Sequence, residues 1–184
     1  SQTGVTTFFI NEDIDTGAIL KQEHISIGPE ETAGELHNRL MVTGSKLVLD
    51  TVEMILDGHA NPIPQKHKTV KLAPKLTKEN CRINWQLPKK KIFDQIRGLS
   101  PYPGAWTMLQ NGTETIELKI YQTKMIDGSH QEEAGRLIIS KKNIKVAVAG
   151  GYIDILELKM AGKRKMDARS LRNGYDFKEN CKLI

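Results

Sequence analysis

Three carboxylates lie close together near the start of the chain, in the stretch TGVTTFFINEDIDTGAIL. Glu12, Asp13 and Asp15 occupy a polar loop between two apolar, β-like runs. A carboxylate on such a loop can move protons during catalysis, because loops held by a rigid scaffold carry many catalytic side chains. An Asp followed closely by Gly is also typical of an ordinary turn, so both interpretations of Asp15 stay open at this point.

The cysteines and histidines show no spacing that is typical of a catalytic or metal-binding motif. Cys81 and Cys181 lie far apart and belong to no C-x-x-C pair, so we expect free thiols. No H-x-H or H-E-x-x-H spacing occurs, and we therefore expect no metal site. The histidines are His24, His37, His59, His67 and His130.

Positive charge is concentrated after residue 60. Residues 1–60 hold three Lys and Arg against ten Asp and Glu, whereas residues 61–184 hold 24 against 12, a net charge of +12. A basic half of this kind is typical of a module that binds a polyanion. The basic residues form two clusters, and each has an alternative explanation. The first could be solvated linker charges and comprises Lys66, Lys68, Lys71, Lys75, Lys78 and Arg82. The second could be a basic terminal helix and comprises Lys163, Arg164, Lys165, Arg169 and Arg172.

The first sixty residues predict two strands and a helix. Val5–Ile10 and Ala18–Ile27 are rich in β-branched residues and flank the polar loop. Thr32 and Glu35 fit a capping box, which begins a helix that we expect to end near Asp57. Because two strands and one helix cannot enclose a core, we expect the end of a larger α/β domain.

A proline- and lysine-rich stretch then separates the chain into two regions. Residues 59–75 contain three prolines and no apolar periodicity, which is typical of an extended linker. The predicted organisation is an α/β domain end at 1–60, a basic linker at 61–81 and a second domain at 82–184.

The second domain is predicted to be a small barrel. Ile92, Phe93, Ile96 and Leu99 lie on one face of a short helix over Lys89–Leu99. Short β-rich runs separated by turn residues follow, and their spacing favours an antiparallel barrel of the oligonucleotide-binding kind. These runs are Ala105–Leu109, Thr115–Lys124, Arg136–Ser140, Ile144–Ala149 and Tyr152–Lys159.

Three aromatic residues could stack on nucleotide bases, namely Trp85, Tyr102 and Trp106. Aromatic residues near Pro and Gly more often belong to the core, and we therefore expect all three to pack inside the barrel.

Four segments in order resemble the C-terminal portion of the methionyl-tRNA formyltransferase family. They are TGVTTFFINEDIDTGAIL, LAPKLTKENCRINW, IRGLSPYPGAW and AGKRKMDARSLRNG, and together they extend along nearly the whole chain. The chain departs from the usual family pattern at Asn84, where Asp is common, and at Lys159, where Gln is usual.

The resemblance implies an activity and a set of site residues. The family transfers a formyl group from 10-formyltetrahydrofolate to the amino group of methionine on initiator tRNA, and its C-terminal barrel helps to hold the tRNA. Its catalytic Asn, His and Asp include the Asp of a DTG element, which is Asp15 here. By the same resemblance Asn11, Glu12, Asp13 and Ile14 belong to the loop that cradles the pterin ring. The resemblance also gives the basic residues from Lys66 to Arg82, with Lys163, Arg164 and Lys165, a role in binding tRNA phosphates.

The catalytic Asn and His belong to an N-x-H element that occurs nowhere in this sequence. We therefore expect the chain alone to be inactive, and we expect a cytoplasmic monomer without a membrane span or metal. One alternative is a related folate-dependent formyltransferase or hydrolase that acts on a sugar nucleotide or on the folate itself. Another is a stand-alone RNA-binding module whose first sixty residues dock a partner.

Overall fold

A computed structural model describes residues 1–65 and 73–184, which form two compact units, Ser1–Pro74 and Lys75–Ile184. The division falls inside the segment 61–81 that the sequence predicts as a linker. The middle of that segment lies outside the described residues, so the linker and the bounds 1–60 and 82–184 stay predictions.

In its described residues, the first unit consists of a two-stranded antiparallel sheet and one long helix. The strands are β1 (Gln2–Phe8) and β2 (Ile19–Ser26), and the helix α1 (Ala33–Leu56) packs against both. The capping box is confirmed, since the Glu35 amide donates to the Thr32 hydroxyl while the Thr32 amide donates to the Glu35 carboxylate.

Helix α1 has two apolar faces. One packs on the strands, where Leu47 and Thr51 are buried, and the Lys21 ammonium donates to Asp50 Oδ2 at 2.7 Å. That hydrogen bond lowers the pKa of the Asp50 carboxyl group. The other face leaves Met41 and Leu49 60% and 66% exposed. A helix with apolar residues on two sides is typical of a layer between two others, as we expect at one end of an α/β domain.

The second unit contains seven strands and two helices. Helix α2 has the predicted bounds, Lys89–Leu99, because its apolar residues repeat at helical spacing and Pro88 directly precedes it. The remaining elements are β3 (Ala105–Asn111), β4 (Glu114–Asp127), β5 (Leu137–Ile139), β6 (Ile144–Val148), β7 (Gly151–Met160), β8 (Met166–Asp167), α3 (Ala168–Gly174) and β9 (Lys182–Leu183).

These strands form one antiparallel sheet that curls into a barrel. Its order is β5-β6-β7-β4-β3-β9, with β8 paired to β7. The two ends of the sheet meet where the Leu183 amide donates to the Gly135 carbonyl at 2.8 Å and the Leu137 amide to the Cys181 carbonyl at 3.2 Å. The predicted barrel is confirmed.

The interior of the barrel is mainly apolar, and Trp85 is part of it. Trp85 is buried and its indole Nε1 donates to Thr107 Oγ1 at 2.9 Å, which satisfies the ring's polar group. The cysteines are free, as predicted, and the structure shows that both are buried. The prediction for Tyr102 is wrong: this ring is 86% exposed, because it lies on the turn between α2 and β3.

Neither a membrane helix nor a metal cluster is found in the parts of the chain that the structure describes. Among residues 1–65 and 73–184, no helix is long and apolar enough to cross a membrane. The same residues contain no group of three or more His, Cys, Asp or Glu side chains placed to bind a metal ion.

Candidate functional site

The loop that joins β1 to β2 is closed at its base by glycine. The Phe9 amide donates to the Ala18 carbonyl at 3.1 Å, which brings the two ends of the loop together. A Cβ atom on Gly17 would lie 1.5 Å from the Phe9 carbonyl oxygen, so no other residue fits at that position. The geometry of the loop base therefore explains why the DTG element ends in Gly.

Two side chains hold the rest of the loop. The Thr16 hydroxyl donates to Asn11 Oδ1 at 2.9 Å and to the Asp13 carbonyl at 3.1 Å. Gln65 Nε2 donates to the carbonyls of Asp15 and Gly17 at 3.0 and 2.8 Å. The polypeptide segment that carries Gln65 is fixed in turn, because Ile63 and Ile19 exchange two backbone hydrogen bonds of 2.8 Å.

Asp15 lies on this loop in an uncommon backbone conformation. Its φ angle is +55°, in the left-handed region that Asp tolerates better than most residues do. The side chain is exposed, and within the described residues its carboxylate has no hydrogen bond or ion pair. The backbone is thus held in place while the carboxylate stays available to accept a proton or a hydrogen bond from a substrate.

The four predicted folate residues share this loop with Asp15. Asn11, Glu12 and Asp13 are exposed, and Ile14 is 90% exposed. The structure therefore brings the five predicted residues together on one segment. Sequence reasoning missed Gln65, because nothing in the local pattern links a residue of the predicted linker to a loop fifty positions earlier.

Replacing Gly17 with Ala should disrupt the loop. We expect the first unit to lose stability by more than the usual 1–3 kcal/mol of an overpacked site, since the clash is with backbone atoms. Amide hydrogen exchange should show faster exchange at the Phe9 amide in the variant. A variant with unchanged protection there would contradict the geometry of the loop base. Thr16→Ser, which keeps the hydroxyl donor, serves as the control.

The first basic cluster is described only in part. Lys66, Lys68 and Lys71 lie outside the described residues, and Lys75 is exposed at the start of the second unit.

Lys78 and Arg82 both lie against Trp106, with their charged groups 5.0 and 5.4 Å from the ring centroid. The Trp106 indole Nε1 donates to the Lys78 carbonyl at 2.6 Å. Trp106 is half-buried and packs against the core as expected, but its ring also carries two cations.

The second basic cluster is divided between a turn and a helix. Lys163, Arg164 and Lys165 are in the turn between β7 and β8, before α3 begins, so a terminal helix does not account for them. It does account for Arg169 and Arg172, which lie on α3. The Ala161 amide, at the start of this turn, donates to the Glu117 carbonyl at 2.9 Å, and the Glu117 carboxylate pairs with Lys78 at 3.0 Å. Glu117 on β4 thus contacts Lys78 of the first cluster and the backbone of the turn that carries part of the second.

Family comparisons match both units. The model described as "Formyl transferase, C-terminal domain" matches residues 75–176, more than half of the chain, and that described as "Formyl transferase" matches residues 1–52. The chain belongs to the formyl transferase family. The shorter match includes the whole β1–β2 loop with Asp15, and the longer one includes the barrel as far as α3.

Individual proteins of known name are similar to the whole chain. The formyl transferase chain is 45% identical over its full length to methionyl-tRNA formyltransferase from Flavobacterium johnsoniae and 39% identical to that from Bacteroides thetaiotaomicron. It spans 58% and 59% of the length of these two relatives.

Solved structures share the fold at lower identity. HypX from Aquifex aeolicus in complex with tetrahydrofolic acid aligns with 97% of this chain and 32% of its own, at a TM-score of 0.68 and 19% identity. The N-formyltransferase from Helicobacter canadensis, in complex with folinic acid and dTDP-3-aminofucose, aligns with 90% of this chain and 56% of its own. The TM-score is 0.59 and the sequence identity is 18%.

Proposed function

We propose that this chain is the C-terminal part of an enzyme that transfers a formyl group from 10-formyltetrahydrofolate to the amino group of methionyl initiator tRNA. The observation that carries the proposal is the 45% identity to a methionyl-tRNA formyltransferase, which extends through the loop and the barrel alike. The expected monomer and cytoplasmic location stay predictions.

The loop has the chemistry that a folate donor requires. A pterin ring is flat and carries several N–H groups, so it needs hydrogen-bond acceptors along its edge and an apolar contact on its face. Asn11, Glu12 and Asp13 supply oxygen acceptors and Ile14 supplies an apolar side chain, all exposed on one loop. HypX, which shares the fold, was solved with tetrahydrofolic acid.

Asp15 is the proton-transfer group in this proposal. When an amine takes a formyl group from a formamide nitrogen, a proton must leave the amine and another must reach the nitrogen that is released. A carboxylate within hydrogen-bond reach of these atoms can accept and return a proton. The exposed carboxylate and the fixed backbone of Asp15 are suited to this role.

The basic residues are proposed to bind tRNA through its phosphates. The proposed contacts are Lys66, Lys68, Lys71, Lys75, Lys78, Arg82, Lys163, Arg164 and Lys165. Each neutralised phosphate changes the slope of log affinity against log salt by about 0.7 to 0.9.

Changing Lys68, Lys71 and Lys75 together to Ala should therefore flatten this slope by about two to three units. A salt titration of tRNA affinity for the parent and the triple variant measures the difference. Overlapping slopes would show that these lysines only keep the linker soluble.

A sugar-nucleotide formyltransferase is the rival enzyme, since a relative of that kind shares the fold. The strongly basic second half favours tRNA, because a small sugar nucleotide needs no extended positive surface. The test gives the full-length enzyme that contains this sequence equal access to methionyl initiator tRNA and to a dTDP-amino sugar, with 10-formyltetrahydrofolate. We expect formylated tRNA; a formylated sugar as the main product would overturn the proposal.

A further inference from the structure

A side chain from outside the β1–β2 loop holds two of its backbone carbonyls. Gln65 Nε2 donates to the Asp15 carbonyl at 3.0 Å and to the Gly17 carbonyl at 2.8 Å. A side-chain amide nitrogen carries two N–H donors, so Gln65 uses both of them on this loop. Among residues 1–65 and 73–184, no other side chain from outside the loop donates to either carbonyl. This part of the loop therefore depends on Gln65 for its position.

The chain segment that carries Gln65 is anchored well enough to act as a support. Ile63 exchanges two backbone hydrogen bonds of 2.8 Å with Ile19, the first residue of β2. Pro62 and Pro64 flank Ile63, and each proline fixes its own φ angle and favours an extended conformation in the residue before it. Gln65 follows directly and is half-buried. Its amide thus reaches the loop from a backbone that is tied to β2.

The backbone of Asp15 requires such a support. Its φ angle of +55° lies in the left-handed region, which is uncommon for residues other than glycine and persists where surrounding contacts enforce it. The other hydrogen bonds of the loop act elsewhere. The Phe9 amide bonds at the base of the loop, and the Thr16 hydroxyl bonds residues that precede Asp15. Only the Gln65 amide bonds the Asp15 carbonyl within the described part of the chain.

Gln65 holds the main chain of Asp15 and leaves the carboxylate unoccupied. Both of its hydrogen bonds go to backbone oxygens, and the Asp15 side chain is exposed. The backbone conformation sets the direction in which the carboxylate points. A proton-transfer group must lie about 2.6–3.2 Å from the atoms that it serves, so a small shift of the loop would take the carboxylate out of reach.

We propose that Gln65 is a positioning residue for formyl transfer. Its amide holds Asp15 in the left-handed conformation, so that the carboxylate meets the reacting amine in one orientation. This inference rests on the proposed function, in which Asp15 transfers the proton. Because Gln65 acts through Asp15, loss of the amide should slow the chemical step rather than weaken the binding of either substrate.

The first test is Gln65→Met in the full-length enzyme, which keeps the length of the side chain and removes both N–H donors. We expect kcat to fall by about 10- to 100-fold, since a misplacement of about 1 Å can cost as much as 100-fold. The KM values for methionyl-tRNA and 10-formyltetrahydrofolate should change less than kcat. An unchanged kcat would overturn the inference.

Gln22→Met is the matched control for this variant. Gln22 lies on β2, and its Nε2 donates to Thr6 Oγ1 at 3.0 Å, so the same chemical change removes a side-chain hydrogen bond from the sheet and not from the loop. We expect it to leave kcat at the parent value. Kinetics are compared at temperatures well below the melting temperature of each variant.

Gln65→Glu separates hydrogen-bond donation from packing. The carboxylate has the size and shape of the amide, but when ionised it only accepts hydrogen bonds and cannot hold the two carbonyls. We therefore expect kcat to fall in the Glu variant as it does in the Met variant. A Glu variant with the parent kcat would show that packing at this position is sufficient, and would overturn the inference.

A double-mutant cycle separates this inference from the proposed function. If Gln65 acts through Asp15, Gln65→Met should lower kcat in the parent and cause no further loss in an Asp15→Asn background. Equal losses in both backgrounds would show that Gln65 acts independently of Asp15 and would overturn the inference alone. An Asp15→Asn variant with near-normal kcat would overturn the catalytic role of Asp15 and the inference with it.

Discussion

Replacing Asp15 with Asn in the full-length enzyme is expected to lower kcat by about 100-fold or more, the usual scale of lost acid–base catalysis. The amide keeps the size of the side chain and tolerates the same left-handed backbone, but it cannot take up a proton. Because the loop is held through the backbone carbonyls of Asp15 and Gly17, the substitution leaves the Gln65 contacts in place. The melting temperature should therefore stay nearly unchanged.

Asp13→Asn is the matched control for this variant. It makes the same chemical change two residues away on the same exposed loop. We expect it to raise the KM for 10-formyltetrahydrofolate with little change in kcat, since Asp13 is proposed to bind the pterin ring. If the Asp15 variant kept a near-normal kcat, or lost activity only as its melting temperature fell, Asp15 would be a turn residue.

The second large effect concerns the chain by itself. Given 10-formyltetrahydrofolate and methionyl initiator tRNA, the 184-residue chain should form no formylmethionyl product. The family's catalytic Asn and His belong to an N-x-H element that this sequence lacks, so nothing would polarise the formyl group.

The assay needs material free of host enzyme and a no-protein control, with the full-length enzyme as the positive reference. Formylation by the chain clearly above the control would show that the catalytic set is wrong. The same preparation should still bind tRNA, so that a lack of product is not mistaken for a lack of folding.

Features with a local cause could be predicted from the sequence. The capping box of Thr32 and Glu35 and the bounds of α2 depend on residues within one or two helical turns, and both were confirmed. Gly150 lies in the short turn between β6 and β7, which pair as neighbours, as expected where a turn-forming residue separates two β-rich runs. Strand β4 is longer than predicted, reaching Asp127, because its pairing with β7 continues beyond Lys124.

Features that depend on contacts between distant residues could not be predicted. Strand β9 has two residues and no pattern of its own, yet it closes the barrel by pairing near Gly135. The pairing of Lys119 with Lys159 has the same origin, since strand register alone places these two residues side by side. Within the loop, the candidate residues were predictable as a group, but their support by Gln65 was not.

Steady-state kinetics of two variants of the full-length enzyme test the central claim most directly, namely that the loop performs the chemistry and the barrel holds the RNA. We predict that Asp15→Asn lowers kcat and leaves the KM for methionyl-tRNA nearly unchanged. The combined Lys163→Ala, Arg164→Ala and Lys165→Ala variant should raise that KM and leave kcat nearly unchanged. If both variants changed the same parameter, or if each changed the one assigned to the other, the division of labour between loop and barrel would be contradicted.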